Sequence, residues 1–185
     1  REVTVSRVEA SVTYPANFQL VAAMNPCPCG HFPDRSRCRC TDGQITRYLQ
    51  KVSGPMLDRI DICVEAAPIT YGDIKSSGNN ESSREIRARV EQARKIQRER
   101  FAGENVRCNG EMSGRHIRKF CGLGREEEKF MEEIFEKLAL SARMHDRILK
   151  VARTTADLAE EEKIRLADLC EAVSYVKSRD KFWGN

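Results

Sequence analysis

The sequence lacks three features that would place it in a large functional class. No apolar run approaches the roughly 20 residues of a membrane-spanning helix, and no secretory signal is visible. No G-x-x-x-x-G-K-[ST] phosphate loop occurs, and no strand ending in paired acidic residues offers a site for Mg²⁺. We therefore expect no membrane partner, and we expect this polypeptide alone not to hydrolyse a nucleotide.

A strong charge imbalance is also missing. The net charge is +4 over 185 residues, so any contact with nucleic acid must come from local patches rather than from bulk charge. The chain begins at Arg1, without Met and directly in strand-like sequence. This start indicates a piece of a longer protein.

The first 70 residues contain strand signals around one helix. "VTVSRVEASVTYP" alternates loosely and predicts a hairpin with its turn near Arg7–Ala10. The apolar runs at residues 18–25 and 60–66 predict buried strands of a parallel sheet. Between them, "DGQITRYLQKVSG" predicts a helix capped by Asp42 and stopped by Gly54-Pro55.

The remaining residues indicate a linker followed by a helical bundle. Residues 71–82 have the composition of a linker. Ser82 and Glu85 then form a capping-box pattern at the start of a long helix. Further helices are predicted at about residues 113–120, 124–138, 141–158 and 163–178. The predicted organisation is α/β in residues 1–70, a linker at 71–82 and an all-α domain at 83–185.

Four of the eight cysteines cluster as two C-x-C pairs separated by eight residues: Cys27, Cys29, Cys38 and Cys40. Thiols at i and i+2 point the same way from an extended segment, so the pairs can place four sulfurs around one point. Zn²⁺ prefers four such ligands in a tetrahedron. The sequence predicts a structural zinc site, with cross-loop disulfides, free thiols or a redox role as alternatives.

The other four cysteines occur singly in apolar or helical patterns: Cys63, Cys108, Cys121 and Cys170. We interpret them as small buried hydrophobic residues. One cysteine cluster among single cysteines is typical of a reduced protein rather than a disulfide scaffold. We therefore expect a cytoplasmic location.

Two polar residues in the α/β part are candidates for chemistry. Asn25 ends a predicted strand, where α/β sheets bind ligands, and its amide could orient a water or a phosphate oxygen. The alternative is that Asn-Pro merely ends the strand. Arg59 lies between Asp58 and Asp61, where it forms either a surface ion pair of little energetic value or a guanidinium presented to a phosphate.

A basic stripe in the helical part is a third candidate. Arg143, Arg147, Lys150 and Arg153 recur every three or four residues, opposite an apolar helix face. Such a stripe is usually the solvated face of a helix. The alternative is that one of these arginines reaches a nucleotide from a lid.

Several stretches together resemble a known family. "FQLVAAMNPCPCG…CRCT", "ITRYLQKVSGPMLDRIDICVE", "SSREIRARVEQAR" and "LSARMHDRILKVARTTADL" are similar to the C-terminal half of magnesium-chelatase-like AAA+ ATPases of the ComM (YifB) type. The resemblance covers nearly the whole chain in order. It implies the C-terminal part of a AAA+ P-loop core, with a hairpin, two core strands and one helix, followed by a helical lid.

The resemblance also implies roles for individual residues. Asn25 matches sensor 1, which positions the attacking water. Arg59 matches the arginine finger, which acts on the ATP of a neighbouring subunit. Arg143 matches sensor 2, with Arg147 as the second choice for a nucleotide contact. The hairpin at residues 1–14 matches a hairpin that projects toward DNA in related helicases.

The cofactors implied for the longer protein are ATP and Mg²⁺, and the partners are identical subunits in a ring, expected to be a hexamer, and DNA. The predicted function is a motor for helicase or branch-migration work in recombination or natural transformation. Two alternatives remain at this point: a chelatase motor that inserts Mg²⁺ into a porphyrin, and a non-enzymatic zinc module that binds nucleic acid or a partner.

Overall fold

The computed structural model describes residues 2–75 and 81–183. The chain divides into two compact units, Arg1–Leu49 and Gln50–Asn185. The segment at residues 50–70 thus groups with the helical part, while the predicted linker at 71–82 and the domain limits drawn from it stay predictions. Among the described residues, no helix combines the length and the apolar character needed to cross a membrane.

The first unit begins with the predicted hairpin. Strands β1 (Glu2–Ser6) and β2 (Ser11–Pro15) pair antiparallel, with Glu2 opposite Pro15 and Ser6 opposite Ser11. The turn is closed by hydrogen bonds in both directions between Arg7 and Ala10. Both strands are exposed along their whole length, and Val8 at the tip is fully exposed. The predicted hairpin and its turn are confirmed.

The first unit ends with helix α1 (Asp42–Leu49), which buries Ile45 and Leu49. The predicted cap is wrong by one residue. Thr41 accepts a hydrogen bond from the Gln44 N–H at 3.3 Å, and the Gln44 side chain accepts one from the Thr41 N–H at 2.9 Å. This reciprocal pair is a capping box. Since Thr41 already satisfies the first turn, Asp42 lies inside the helix.

The two predicted core strands are wrong for the described residues. Residues 18–25 form no strand or helix, and Phe18 is 77% and Val21 84% exposed. Residues 60–66 likewise form no strand, and Val64 is 69% exposed. A strand requires hydrogen-bonding neighbours, and the hairpin is the only strand pair in the described part of the chain. Within residues 2–75 and 81–183, the apolar stretches at 18–25 and 60–66 therefore have no sheet to join.

The second unit is helical. The predicted stop at Gly54-Pro55 instead starts a one-turn helix, α2 (Gly54–Leu57), with Pro55 in its first turn, as proline's fixed φ allows. Short α3 covers Tyr71–Lys75 inside the predicted linker, whose residues 76–80 lie outside the described chain. The bundle follows: α4 (Ser83–Arg100), α5 (Gly114–Phe120), α6 (Arg125–Lys137), α7 (Ala142–Leu158) and α8 (Leu166–Trp183). The predicted bundle helices are confirmed.

Local signals explain where these helices begin. Ser82 and Glu85 form the predicted capping box at the start of α4. Ser141 accepts from the N–H of Met144 at the start of α7. A 3₁₀ turn, Asn109–Glu111, lies between α4 and α5. These caps satisfy N–H groups that a helix start leaves without intrahelical partners.

Helix α7 is the centre of the bundle, contacting α4, α5, α8 and the 3₁₀ turn. Its apolar face carries Ile148, Leu149 and Ala152, which are 5% exposed or less. Leu169 and Val173 of α8 complete the core with residues of α5 and α6. The bundle therefore has an apolar core of its own, within the second unit.

Candidate functional site

The four clustered cysteines meet at one point in the first unit. All four sulfurs lie within 4.8 Å of one another, and the sulfurs of Cys27, Cys29 and Cys38 are 3.4 to 3.8 Å apart. Four sulfurs bound to one zinc ion at about 2.3 Å are about 3.8 Å apart in a tetrahedron. The cluster therefore has the dimensions of a four-thiolate metal site.

Tight turns bring the two C-x-C pairs together. The Gly30 N–H donates to the Cys27 carbonyl at 3.0 Å, in a turn where Gly30 has φ +81°, a conformation that favours glycine. On the other arm, the Cys38 N–H donates to the Asp34 carbonyl at 2.8 Å. The Asp34 carboxylate accepts from Ser36. The loop is thus closed by its own backbone.

The electrostatics of the cluster favour a thiolate. The Phe32 N–H donates to the Cys27 sulfur at 3.4 Å. Backbone hydrogen bonds from His31 and Arg39 lower the pKa of Cys29 to about 6, whereas desolvation raises the pKa of Cys40 to about 12. The backbone around the cluster therefore favours the deprotonated form of Cys29 over that of Cys40. A bound divalent ion requires deprotonated ligands and would displace the remaining protons.

Arg35 ties the cluster to helix α1. Its guanidinium pairs with Asp42, donates to the Cys40 carbonyl at 3.5 Å and lies 5.0 Å from the ring centre of Phe32. The charge of a four-thiolate zinc centre is about −2. Arg35 therefore supplies a nearby positive charge while also joining the loop to the helix.

Asn25 lies at the entrance to the same loop. Its exposed side chain packs over Gly30, where an added β-carbon would be 3.8 Å from the Asn25 amide. The structure thus places Asn25 beside the cysteine turn in the first unit. Its predicted role as sensor 1 stays a prediction.

Arg59 lies in a tight loop after α2 in the second unit. The loop is closed by backbone hydrogen bonds of 2.9 to 3.0 Å. In each of them an N–H group of residues 58–60 donates to the carbonyl of a residue three or four positions earlier. The exposed Arg59 guanidinium donates to the Pro55 carbonyl at 2.5 Å. The loop therefore presents a planar cation on the surface, and its role as an arginine finger stays a prediction.

The predicted basic stripe on α7 separates into different environments. Arg143 is exposed. Arg147 is 15% exposed and contacts the loop that carries Arg59. Lys150 reaches the Gly110 carbonyl at 3.4 Å. Arg153 is 2% exposed, so the interpretation of a solvated face is wrong for it.

Arg153 belongs to a buried polar network that was not predicted. Its Nε donates to Asp157 at 3.1 Å, and its Nη1 donates to the Glu162 carbonyl at 2.8 Å. Arg100 also pairs with Asp157, and Asn109 donates to the same carboxylate at 2.7 Å. The i,i+4 spacing of an arginine and an aspartate on an apolar helix face was the available signal.

The single cysteines are only partly as predicted. Cys121 is buried, and burial raises the pKa of its thiol to about 11. Cys63 and Cys108 are half-buried. Cys170 is exposed, so the prediction of a buried residue is wrong there. An exposed position on α8 explains this, because only the opposite face of the helix meets the core.

Comparison with known families gives two matches in chain order. The family model described as magnesium chelatase, subunit ChlI, matches residues 1–74. The model described as magnesium chelatase, subunit ChlI C-terminal, matches residues 80–176. Together they cover both the cysteine loop and the helical bundle.

Curated relatives give the same result. The chain is 41% identical over 175 residues to the competence protein ComM of Haemophilus influenzae, covering 94% of this chain and 33% of that protein. It is 42% identical to the uncharacterized protein YifB of Escherichia coli, of which it covers 34%. An uncharacterized protein of Mycobacterium bovis, Mb2921c, is 34% identical over 174 residues. The chain thus spans about a third of the length of these relatives.

Proposed function

Because this chain belongs to the magnesium chelatase family, in its ComM-like branch, we propose that it is the sensor and arginine-finger part of a ring-forming AAA+ ATPase that works on DNA. The observation that carries this proposal is the loop around Arg59, which presents a guanidinium at the surface of the second unit. Such a group stabilises the charge that develops on a transferring phosphoryl group.

The residues of this chain fit part of a nucleotide site. Asn25 offers an amide that can orient water, and Arg59 and Arg143 offer exposed cations for phosphate oxygens. Binding the phosphates with Mg²⁺ requires a phosphate loop and a strand that ends in paired acidic residues, and this sequence contains neither motif. ATP would bind where a neighbouring sequence supplies those groups, and this chain would add the sensors and the finger.

Arg59 acts in trans in this proposal, so turnover depends on ring assembly, with a hexamer as the expected form. The hairpin supports the DNA part of the proposal. Its two strands are exposed, and the turn between them contains the cationic Arg7. The name of the Haemophilus influenzae relative, a competence protein, supports a role in natural transformation. We assign branch migration or helicase work to this motor.

The cysteine cluster has an architectural role in the proposed motor. We assign structural Zn²⁺ to it, because four sulfurs within 4.8 Å satisfy the preferred coordination and leave no open position for substrate. The metal would hold the loop that runs from Asn25 to helix α1. Catalysis by the metal is not part of the proposal.

The test uses the protein that carries this chain together with its phosphate loop. We expect DNA-stimulated ATP hydrolysis and branch migration of a synthetic junction. Replacing Arg59 with Ala should lower kcat by about a thousandfold or more, in the range of trans-acting arginine fingers, with the Kd for ATP unchanged. The measurements are steady-state turnover and fluorescent-nucleotide binding.

Two outcomes would contradict parts of this proposal. Normal hydrolysis by the Arg59→Ala variant removes the finger assignment. ATP turnover that DNA does not stimulate, combined with Mg²⁺ insertion into a porphyrin, supports instead the chelatase activity that gives the family models their name.

A further inference from the structure

The side chain of Arg147 contacts the loop around Arg59 at three places. Its guanidinium donates to the backbone carbonyl of Asp58 and, at 3.3 Å, to that of Ile60. Its Nε lies 3.0 Å from a carboxylate oxygen of Asp61. The acceptors therefore stand on both sides of Arg59, although Arg147 follows them by more than 80 residues in the sequence.

The backbone contacts are the stronger part of this interaction. The Arg147 side chain is 15% exposed, whereas that of Asp61 is 70% exposed. An ion pair with a solvated carboxylate contributes little. Hydrogen bonds from a charged, largely enclosed donor to two carbonyls contribute more. The planar guanidinium can reach both carbonyls at once, which the single ammonium of a lysine cannot reproduce.

We propose that Arg147 is a positioning residue. It holds the Arg59 loop against α7 and sets the direction in which the Arg59 side chain projects from the surface of its subunit. This inference rests on the proposed function. It replaces the predicted nucleotide contact of Arg147, since its donors bind acceptors of its own chain. Helix α7 and the finger loop would then move as one piece.

Amide hydrogen exchange of this chain tests the contact itself. In the Arg147→Gln variant we expect exchange in the peptide covering residues 56–62 to accelerate about tenfold or more, because two charge-assisted hydrogen bonds to the loop are lost. The matched control is Arg143→Gln, which changes an exposed arginine one turn away on the same helix. Equal protection in both variants and the unmodified chain would overturn the proposal.

Turnover tests the role. In the protein with its phosphate loop, Arg147→Gln should lower kcat about tenfold or more while the Kd for ATP stays unchanged. Arg147→Lys should lower kcat less than Arg147→Gln does, but should not restore it fully. Lysine keeps the positive charge but lacks the planar guanidinium that donates to two carbonyls at once. A variant with normal kcat, or one that loses ATP affinity instead, contradicts a positioning role.

Rings assembled from two kinds of mutant subunit show whether Arg147 supports the arginine finger of its subunit or the nucleotide site of its subunit. We expect Arg147→Gln subunits to regain ATPase activity when mixed with subunits mutated in the phosphate loop, and not when mixed with Arg59→Ala subunits. If Arg147 touched the nucleotide of its own subunit, the two results would be reversed, which would overturn the proposal.

The proposed ATPase function and the positioning role of Arg147 would be contradicted by different results. An unmodified protein that shows no ATPase activity removes the proposed function while leaving the hydrogen-exchange result as a measure of the contact. An active protein in which Arg147→Gln has no effect removes this inference alone.

Discussion

At the scale of single residues, the buried carboxylate of Asp157 is the most constrained group in the bundle. It is fully buried, pairs with Arg100 and Arg153, and accepts from Asn109. No buried side-chain nitrogen or oxygen lacks a hydrogen-bond partner within the described part of the chain. A network of this kind is stable only when every member is present.

The Asp157→Asn substitution tests that dependence. It leaves two guanidinium groups without their counter-charge, and desolvation already lowers the pKa of Arg153. We expect a loss of about 3 kcal/mol in the free energy of unfolding, measured by urea denaturation. The matched control is Glu161→Gln, which removes the same charge from a pair with Arg165 that is nearly half exposed and should cost less than about 1 kcal/mol. Equal losses in the two variants would contradict the argument.

At the scale of elements, one ion pair holds helix α5 to the loop before it. Glu104 is 18% exposed and accepts from Lys119 of α5 at 2.5 Å, with the Nε2 of His116 3.5 Å from its other oxygen. The hydrogen bond from Lys119 holds the pKa of Glu104 below its usual value. The carboxylate therefore stabilises the folded chain only while it is ionised.

This ion pair predicts a pH-dependent difference in stability. Glu104 keeps its full contribution above the unfolded pKa of about 4.3 and loses it as the pH falls through the lower folded pKa. We expect Glu104→Gln to be less stable than the unmodified chain at pH 7, with the difference in stability closing below about pH 4. Thermal denaturation across pH measures it.

The control for this prediction is Glu132→Gln, which changes an exposed glutamate on α6. A gap between Glu104→Gln and the unmodified chain that stays constant from pH 7 to pH 3 would contradict the role of the charge.

The elements differ in how far the sequence predicts them. The hairpin, the capping box at Ser82 and the four-cysteine loop have local causes, in turns, caps and spacing, and all three are present. Residues 18–25 have strand-like composition, but a strand depends on neighbours that no local pattern supplies. The contact between Arg147 and the Arg59 loop also has no local signal, because its partners lie far apart in the sequence.

At the scale of the whole molecule, the two units depend on different sources of stability. The second unit has an apolar core built from α5 to α8 and the segments between them. In the described part of the first unit only Cys27, Ile45 and Leu49 are buried, and both strands of the hairpin are exposed. We infer that the proposed metal replaces a core there, since structural zinc contributes directly to folding.

Metal analysis and chelation test this inference. We expect about one zinc per chain, lost in Cys38→Ser and on treatment with a strong chelator. Removal should increase amide exchange at residues 27–49 and leave the bundle protected. The control is Cys170→Ser, which changes an exposed cysteine outside the cluster. A metal-free chain with four titratable thiols, or unfolding of the bundle on chelation, would contradict it.

Helix α1 begins two residues after Cys40, the last clustered cysteine, and has eight residues. An isolated helix of that length is marginally stable in water, because forming the first turn fixes several backbone dihedral angles for a single hydrogen bond. A metal-bound loop would hold Cys40 and Asp42 in place through Arg35 and so supply the nucleus for this helix. The helicity of α1 then becomes a spectroscopic reporter of metal occupancy, readable from an amide signal without observing the metal.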